Sequence, residues 1–173
     1  MTTTSPSEPV PASTPGSGLH DDLHWLFARL KQGLATAGTA VVREHGMSLW
    51  GYTVLLAVVD APARSQLALA QAVSVDKSKL VLILDELEAA GLVRRRPDPS
   101  DRRARIVEAT GEGRAALVAA RAGVAAVESR LLAGQDPDAV RLLLASLRQL
   151  AGEPVARIEA GRPASDACAP PPA

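Results

Sequence analysis

Apolar residues recur along this chain with a helical period, and the series breaks at intervals where residues that start or stop helices stand. Trp25, Leu26, Leu30 and Leu34 form the first series. Asp21 and Asp22 open it with the acidic groups favoured at the positive end of a helix dipole, and His45-Gly46 ends it just after Glu44. Ser48 is placed to cap a second helix, LWGYTVLLAVVD, which APA terminates. Ser65 caps a third, QLALAQAV, and Asp76 a fourth, KSKLVLILDELEAAG. Within the fourth, Leu80, Ile83, Leu84 and Leu87 fall at i, i+3, i+4 and i+7, a single stripe for a core, and Gly91 supplies the stop. The opposite face holds Ser78, Leu82, Asp85 and Ala89, with Lys79 and Val81 on its flanks, so the exposed start of this helix carries Lys77, Ser78 and Lys79.

Two strand-like runs follow, LVRRR and RARIVEA, joined by PDPSD, whose prolines and aspartates suit a turn. They predict a hairpin. Thr110 then caps a long helix over 111–133, with Leu117, Ala120, Val124, Val127 and Leu131 as its stripe. Asp136-Pro137 starts a last helix in which Val140, Leu143, Leu144, Leu147 and Leu150 repeat the pattern. Residues 1–18 and 152–173, rich in Pro, Ser, Thr, Ala and Gly, bury too little to offset the entropy of ordering and are expected to be disordered tails. One folded domain over 19–151 remains.

Composition agrees with this reading. The chain has 173 residues, 47% apolar but only 2% aromatic, so Ala, Leu and Val must build the interior, and these favour helices over sandwiches. The single cysteine, Cys168, excludes an intrachain disulfide and a thiolate metal cluster and fits a reducing compartment. The first residues have neither a basic start nor an apolar run, and the longest apolar run, Val54 to Val59, is too short to span a bilayer, so a soluble cytoplasmic protein with no membrane partner is expected. His20 and His24 share a helix face and His45 lies beyond it, but with no evident third ligand they are read as surface residues, and no metal or cofactor is expected. The sequence offers no nucleophile–base pair, paired carboxylates or phosphate-cradling glycine loop, so an enzyme is not expected.

Charge distribution changes the picture more than total charge, which is zero. Six of the sixteen arginines fall between residues 94 and 105, and two of the three lysines are Lys77 and Lys79. A short helix pair whose second member leads straight into a basic hairpin describes a winged helix-turn-helix. Such a helix fits the major groove of duplex DNA, where its first turn reaches base edges, while cations on the hairpin reach phosphates or the adjacent minor groove.

The order of residues here also resembles the multiple-antibiotic-resistance regulator (MarR) family. The pieces are Asp85-x-Leu87-Glu88-x-x-Gly91-Leu92-Val93-x-Arg95, then Pro99-x-Asp101-Arg102-Arg103, then Val107-x-x-Thr110-x-x-Gly113. The resemblance implies a mainly α fold: a winged helix-turn-helix with a two-stranded wing (48–109), and terminal helices (20–45 and 111–151) forming an intertwined dimerisation region. It implies a homodimer acting on double-stranded DNA as a transcription regulator, a ligand-responsive repressor, at a pseudo-palindromic operator with half-site centres about 34–36 Å apart. Carried over by position, Lys77, Ser78, Lys79 and Leu82 would face DNA from the recognition helix, Ser65 and Gln66 from the supporting helix, and Arg95, Arg102 and Arg103 from the wing.

The family's effector cleft is lined by the first two helices, which makes Trp25, Trp50 and Tyr52 candidate walls for a small-molecule site. Its redox branch uses a cysteine near the first helix, which this chain lacks. Four positions depart from the family pattern. Val81 and Leu82 stand where polar or basic residues are usual, Ser74 replaces the turn glycine, and Ala109 replaces a leucine. The apolar pair leaves a second reading open, a winged-helix dimer that serves as a protein-interaction module with little sequence-specific DNA binding.

Overall fold

The computed structural model describes residues 18–61, 65–98, 105–152 and 155. Most of both expected tails, Cys168 among them, and the expected wing tip with Arg102 and Arg103 therefore lie outside the described residues. After a single 3-10 turn at Leu19–Asp21, the elements run α1 (Leu23–Arg43), α2 (Leu49–Asp60), α3 (Gln66–Ala72), α4 (Lys77–Ala89), β1 (Val93–Pro97), β2 (Arg105–Ala109), α5 (Gly111–Leu131) and α6 (Pro137–Leu150). The fold is mainly α with one antiparallel strand pair, as the sequence predicts. Two compact units divide the chain, residues 1–128 and 129–173.

Each of the six helices opens in the same way. The side-chain oxygens of Asp22, Ser48, Ser65, Asp76, Thr110 and Asp136 accept the N–H groups of Trp25, Gly51, Ala68, Lys79, Gly113 and Ala139, three residues on, at 2.8–3.2 Å. Each bond satisfies a donor that the first helical turn leaves unpaired, a contribution of about 1 kcal/mol.

Three helices also share an ending. At α1, α3 and α4 the residue with left-handed backbone is Gly46 (φ 73°), Ser74 (φ 53°) and Gly91 (φ 71°). The next N–H in each case reaches back to the carbonyl five residues earlier: Met47 to Val42, Val75 to Ala70 and Leu92 to Leu87. This is the Schellman arrangement, and it turns the chain sharply at each site. Ser74 is the only non-glycine residue at positive φ among the described residues.

The core of the first unit gathers the predicted α4 stripe, Leu80, Ile83, Leu84 and Leu87, with Val54, Leu55 and Val58 of α2, Leu69 of α3, Val93 and Val107 of the sheet, and Leu117 and Ala120 of α5. In the sheet, Val93 pairs with Ala109, Arg95 with Val107 and Pro97 with Arg105, so these share one face, while Arg94, Arg96, Ile106 and Glu108 share the other. Ser65 forms an additional bridge to Ile106, which fastens the start of α3 to the wing.

At the base of the wing the chain approaches itself closely. A Cβ on Gly113 would lie 1.9 Å from the Leu92 carbonyl oxygen, so only glycine fits in the first turn of α5. Thr110 completes this junction, donating its backbone N–H to Leu92 O at 3.1 Å and its hydroxyl to Gly91 O at 2.7 Å.

The first half of α1 carries its apolar face uncovered: Leu23, Leu26, Phe27, Leu30 and Leu34 are all exposed. In the second unit α6 has no buried residue, and Leu142, Leu143, Leu144 and Leu150 are exposed.

Candidate nucleic-acid interface

The α3–α4 pair with its tight turn presents the first turn of α4 outward. Lys77 and Ser78 are exposed and Lys79 is partly so, while the Asp76 cap fixes where the helix begins. Leu82 lies one turn further on and is 65% exposed, whereas Val81 is half-buried. At the supporting helix, Ser65 and Gln66 are half-buried, the Ser65 hydroxyl is engaged in capping, and Leu67 is exposed.

The wing base differs from its linear reading. Arg95, expected among the outward-facing cations, turns toward α4, where one guanidinium nitrogen lies 2.6 Å from Asp85 Oδ1 and 3.4 Å from Glu88 Oε2. Another donates to the Val81 carbonyl at 3.3 Å, and the Arg95 backbone N–H donates to Glu88 Oε1 at 3.0 Å. The alternation of the strand explains this. Arg95 shares its face with Val93 and Val107, whose side chains are buried, so its stem is carried inward and its head meets the carboxylates of the helix below. Its side chain is only 20% exposed. In this structure Arg95 braces the wing against α4.

Arg94 and Arg96, on the opposite face, converge on Glu108, at 2.9 Å and 2.6 Å. Hydrogen bonds from Arg96, then Arg94, hold the Glu108 carboxyl below its ordinary pKa. Much of the arginine charge at the wing base is therefore compensated within the protein. Among the described residues, Lys77, Lys79 and Arg105 have no carboxylate partner.

Trp25, Trp50 and Tyr52, expected to wall one cleft, occupy three different neighbourhoods. Trp25 meets His20 edge-on at a ring separation of 4.7 Å. Tyr52 packs against the core, and burial pushes its hydroxyl pKa above the ordinary value, with Arg121 opposing and Glu128 adding to the shift. Trp50 faces the recognition helix instead, where Lys79 Nζ stands 4.0 Å from the centre of its ring. Two open clefts of the first unit are lined by other residues. One, of about 330 Å³, is bounded by Arg43, Gly46, Met47, Ser48, Glu86 and Leu87. The other, of about 400 Å³, runs along α1 past Gln32, Thr36, Thr39 and Arg43. The described residues contain no group of three or more His, Cys, Asp or Glu that could hold a metal, and no helix long and apolar enough to cross a membrane.

Comparison with known proteins places this geometry. Residues 45–104 match the family model described as MarR family. A MarR-family transcriptional regulator from Rhodococcus sp. RHA1 is 30% identical, with a TM-score of 0.73 over 79% of this chain and 97% of that one. The transcriptional repressor CouR, solved with a 23-mer DNA duplex, is 30% identical with a TM-score of 0.71 over 77% of this chain and 94% of that one. CouR from Rhodococcus jostii RHA1, solved with p-coumaroyl-CoA, gives 27% and 0.71 over 80% and 97%. Transcriptional regulator HosA of Escherichia coli O111:H- is 44% identical over 69 residues, 40% of this chain, and the match spans about half the length of that relative. With a winged helix-turn-helix in place and the 30% identical Rhodococcus regulator matched over 97% of its length, the chain belongs to the MarR family of transcriptional regulators.

Proposed function

We propose that this protein is a homodimeric, sequence-specific double-stranded DNA-binding regulator, a repressor whose affinity for its operator falls when a small molecule binds. The observation that carries the reading is the outward first turn of α4, where Lys77 and Lys79 form no ion pair among the described residues, beside a wing braced from within. Lysine ammonium groups there suit phosphate oxygens and the acceptor edges of guanine in the major groove. Ser78 and Leu82 share the helix face that would meet bases, and an exposed leucine suits the methyl group of thymine. Ser65 and Gln66 would approach the backbone from the supporting helix, and Arg102 and Arg103 would reach it from the wing tip.

The dimer is supported by the uncovered leucines of α1 and α6. Covering these eight leucines in each of two copies recovers part of the about 1.5–3 kcal/mol that full burial of each is worth, enough in sum to offset association costs of about 4–15 kcal/mol. Two-fold symmetry then calls for an operator with two half-sites. For the effector, the cleft along α1 has Arg43 as its one charged lining residue and favours an anionic molecule, in keeping with the acyl-CoA held by CouR.

The test is selection of duplexes from a random library by the full-length protein, followed by band-shift titration of the enriched sequence. Enrichment of a pseudo-palindrome is expected. Failure to enrich any sequence, or binding that disappears into competitor DNA, would sink the reading. The exposure of Leu67 and Leu82, at 63% and 65%, favours the second reading, a protein-interaction module. Salt separates the two: log affinity for DNA falls by about 0.9 per phosphate contact for each unit of log salt, and an apolar protein interface is nearly insensitive.

A further inference from the structure

We infer that Trp50 is a positioning residue for DNA binding, an aromatic guide that holds the Lys79 ammonium over its ring and aims it at the DNA. The inference rests on the proposed function, because it takes Lys79 to meet DNA. Its starting point is a contact between elements distant in sequence. Trp50 lies in the first turn of α2 and Lys79 in the first turn of α4, yet the ammonium nitrogen lies 4.0 Å from the ring centre, within the roughly 6 Å at which a cation is drawn to an aromatic face.

The chemistry of the partner matters. A lysine on a four-carbon stem samples many rotamers, and ordering it at a phosphate loses that freedom. A carboxylate partner would order the stem but would also cancel the charge that DNA must feel. The indole orders it through its quadrupole and leaves the net charge intact, and its single face leaves ammonium donors for an acceptor outside the protein. The wing base shows the contrast, since Arg95 and Arg96 are ordered by Asp85 and Glu108 and are compensated by them. Lys79 is ordered without being neutralised. Trp50 is itself 42% exposed, so the pair sits at the surface where a ligand can meet it.

Ordering in advance a lysine that DNA would otherwise have to immobilise corresponds to about a two- to five-fold effect on affinity per half-site, or about five- to thirty-fold for a symmetric dimer. The experiment measures binding of the full-length protein to the duplex that wild type selects from a random library. It uses Trp50→Leu, Trp50→Phe, Lys79→Met and the Trp50→Leu/Lys79→Met double variant. Leucine keeps apolar bulk but has no ring face. We expect Trp50→Leu to weaken binding by the stated factor, Trp50→Phe to recover most of it, and Trp50→Leu to have no further effect once Lys79 is methionine. Equal losses with and without Lys79, or no loss in Trp50→Leu, would overturn the inference.

If Lys79→Met binds as tightly as wild type, the assumed lysine contact fails and the inference with it, although a selected duplex still upholds the regulator reading. Failure of wild type to select any duplex overturns that reading instead. A measurement that needs no Trp50 variant covers the case in which those do not fold. In a Trp25→Phe background the only remaining indole is Trp50, and Lys79→Met must shift its emission in the absence of DNA. Unchanged emission would show that the pair does not meet in solution.

Discussion

Ser74→Gly should make this protein more stable, although it removes a side chain and adds flexibility to a turn. Ser74 occupies the left-handed position of the α3 ending with φ at 53°, the place that Gly46 and Gly91 hold in the matching endings of α1 and α4. An L-residue there brings its Cβ close to the following carbonyl oxygen, at a cost of about 1–2 kcal/mol. Glycine removes that cost but gains about 0.5–1 kcal/mol of freedom in the unfolded chain. Taken at their centres the two leave the variant ahead by about 0.7 kcal/mol, or about 1–3 °C in Tm for a chain of this size. The assay is thermal unfolding of both proteins at one fixed concentration, because a dimer's melting point moves with concentration. Ser74→Ala serves as control, since it keeps the Cβ and should gain nothing. If Ser74→Gly melts at or below wild type, or if Ser74→Ala gains as much, backbone strain is not the quantity that Ser74 contributes.

Three further outcomes follow from the geometry. Gly113→Ala should cost at least about 1–3 kcal/mol by the same melting assay, because the added Cβ meets the Leu92 carbonyl oxygen, a backbone atom that cannot swing away. Arg95→Ala should destabilise by about 1–2 kcal/mol, discounted for the half-exposed carboxylates it leaves behind, without changing the salt slope of DNA binding; a shallower slope would restore Arg95 as a phosphate contact. Tyr52 is the only tyrosine, so absorbance of the tyrosinate titrates it directly and should report a pKa above 10.0. Because its folded pKa is raised, the stability it adds is complete below the unfolded pKa near 10 and is lost as pH rises through the folded value; Tyr52→Phe should flatten that alkaline decline in denaturant midpoint.

The elements were legible in the sequence because their signals are local. A capping residue and the N–H it accepts lie three positions apart, and all six caps can be read without knowing the fold. The α4 stripe is equally local, since helical spacing alone groups Leu80, Ile83, Leu84 and Leu87. Electrostatics was not. A run of three arginines reads as a block of positive charge, but Arg95 finds partners seven and ten positions back, and Arg94 and Arg96 find theirs across the sheet. Strand alternation announces that Arg95 points away from its neighbours; only the packing of β1 on α4 decides what it meets. Trp50 shows the same limit. Its neighbours in sequence suggested a cleft wall, while its neighbour in space is a lysine twenty-nine residues on.

The close approach of Gly113 to Leu92 has a mechanical consequence. With Thr110 bonded to both Gly91 and Leu92, the start of α5 and the turn between α4 and β1 meet backbone to backbone, with no side chain between them to slide or repack. A joint of that kind transmits torque without slack. A tilt of the first turn of α5 is therefore expected to carry the turn at Gly91-Leu92 with it.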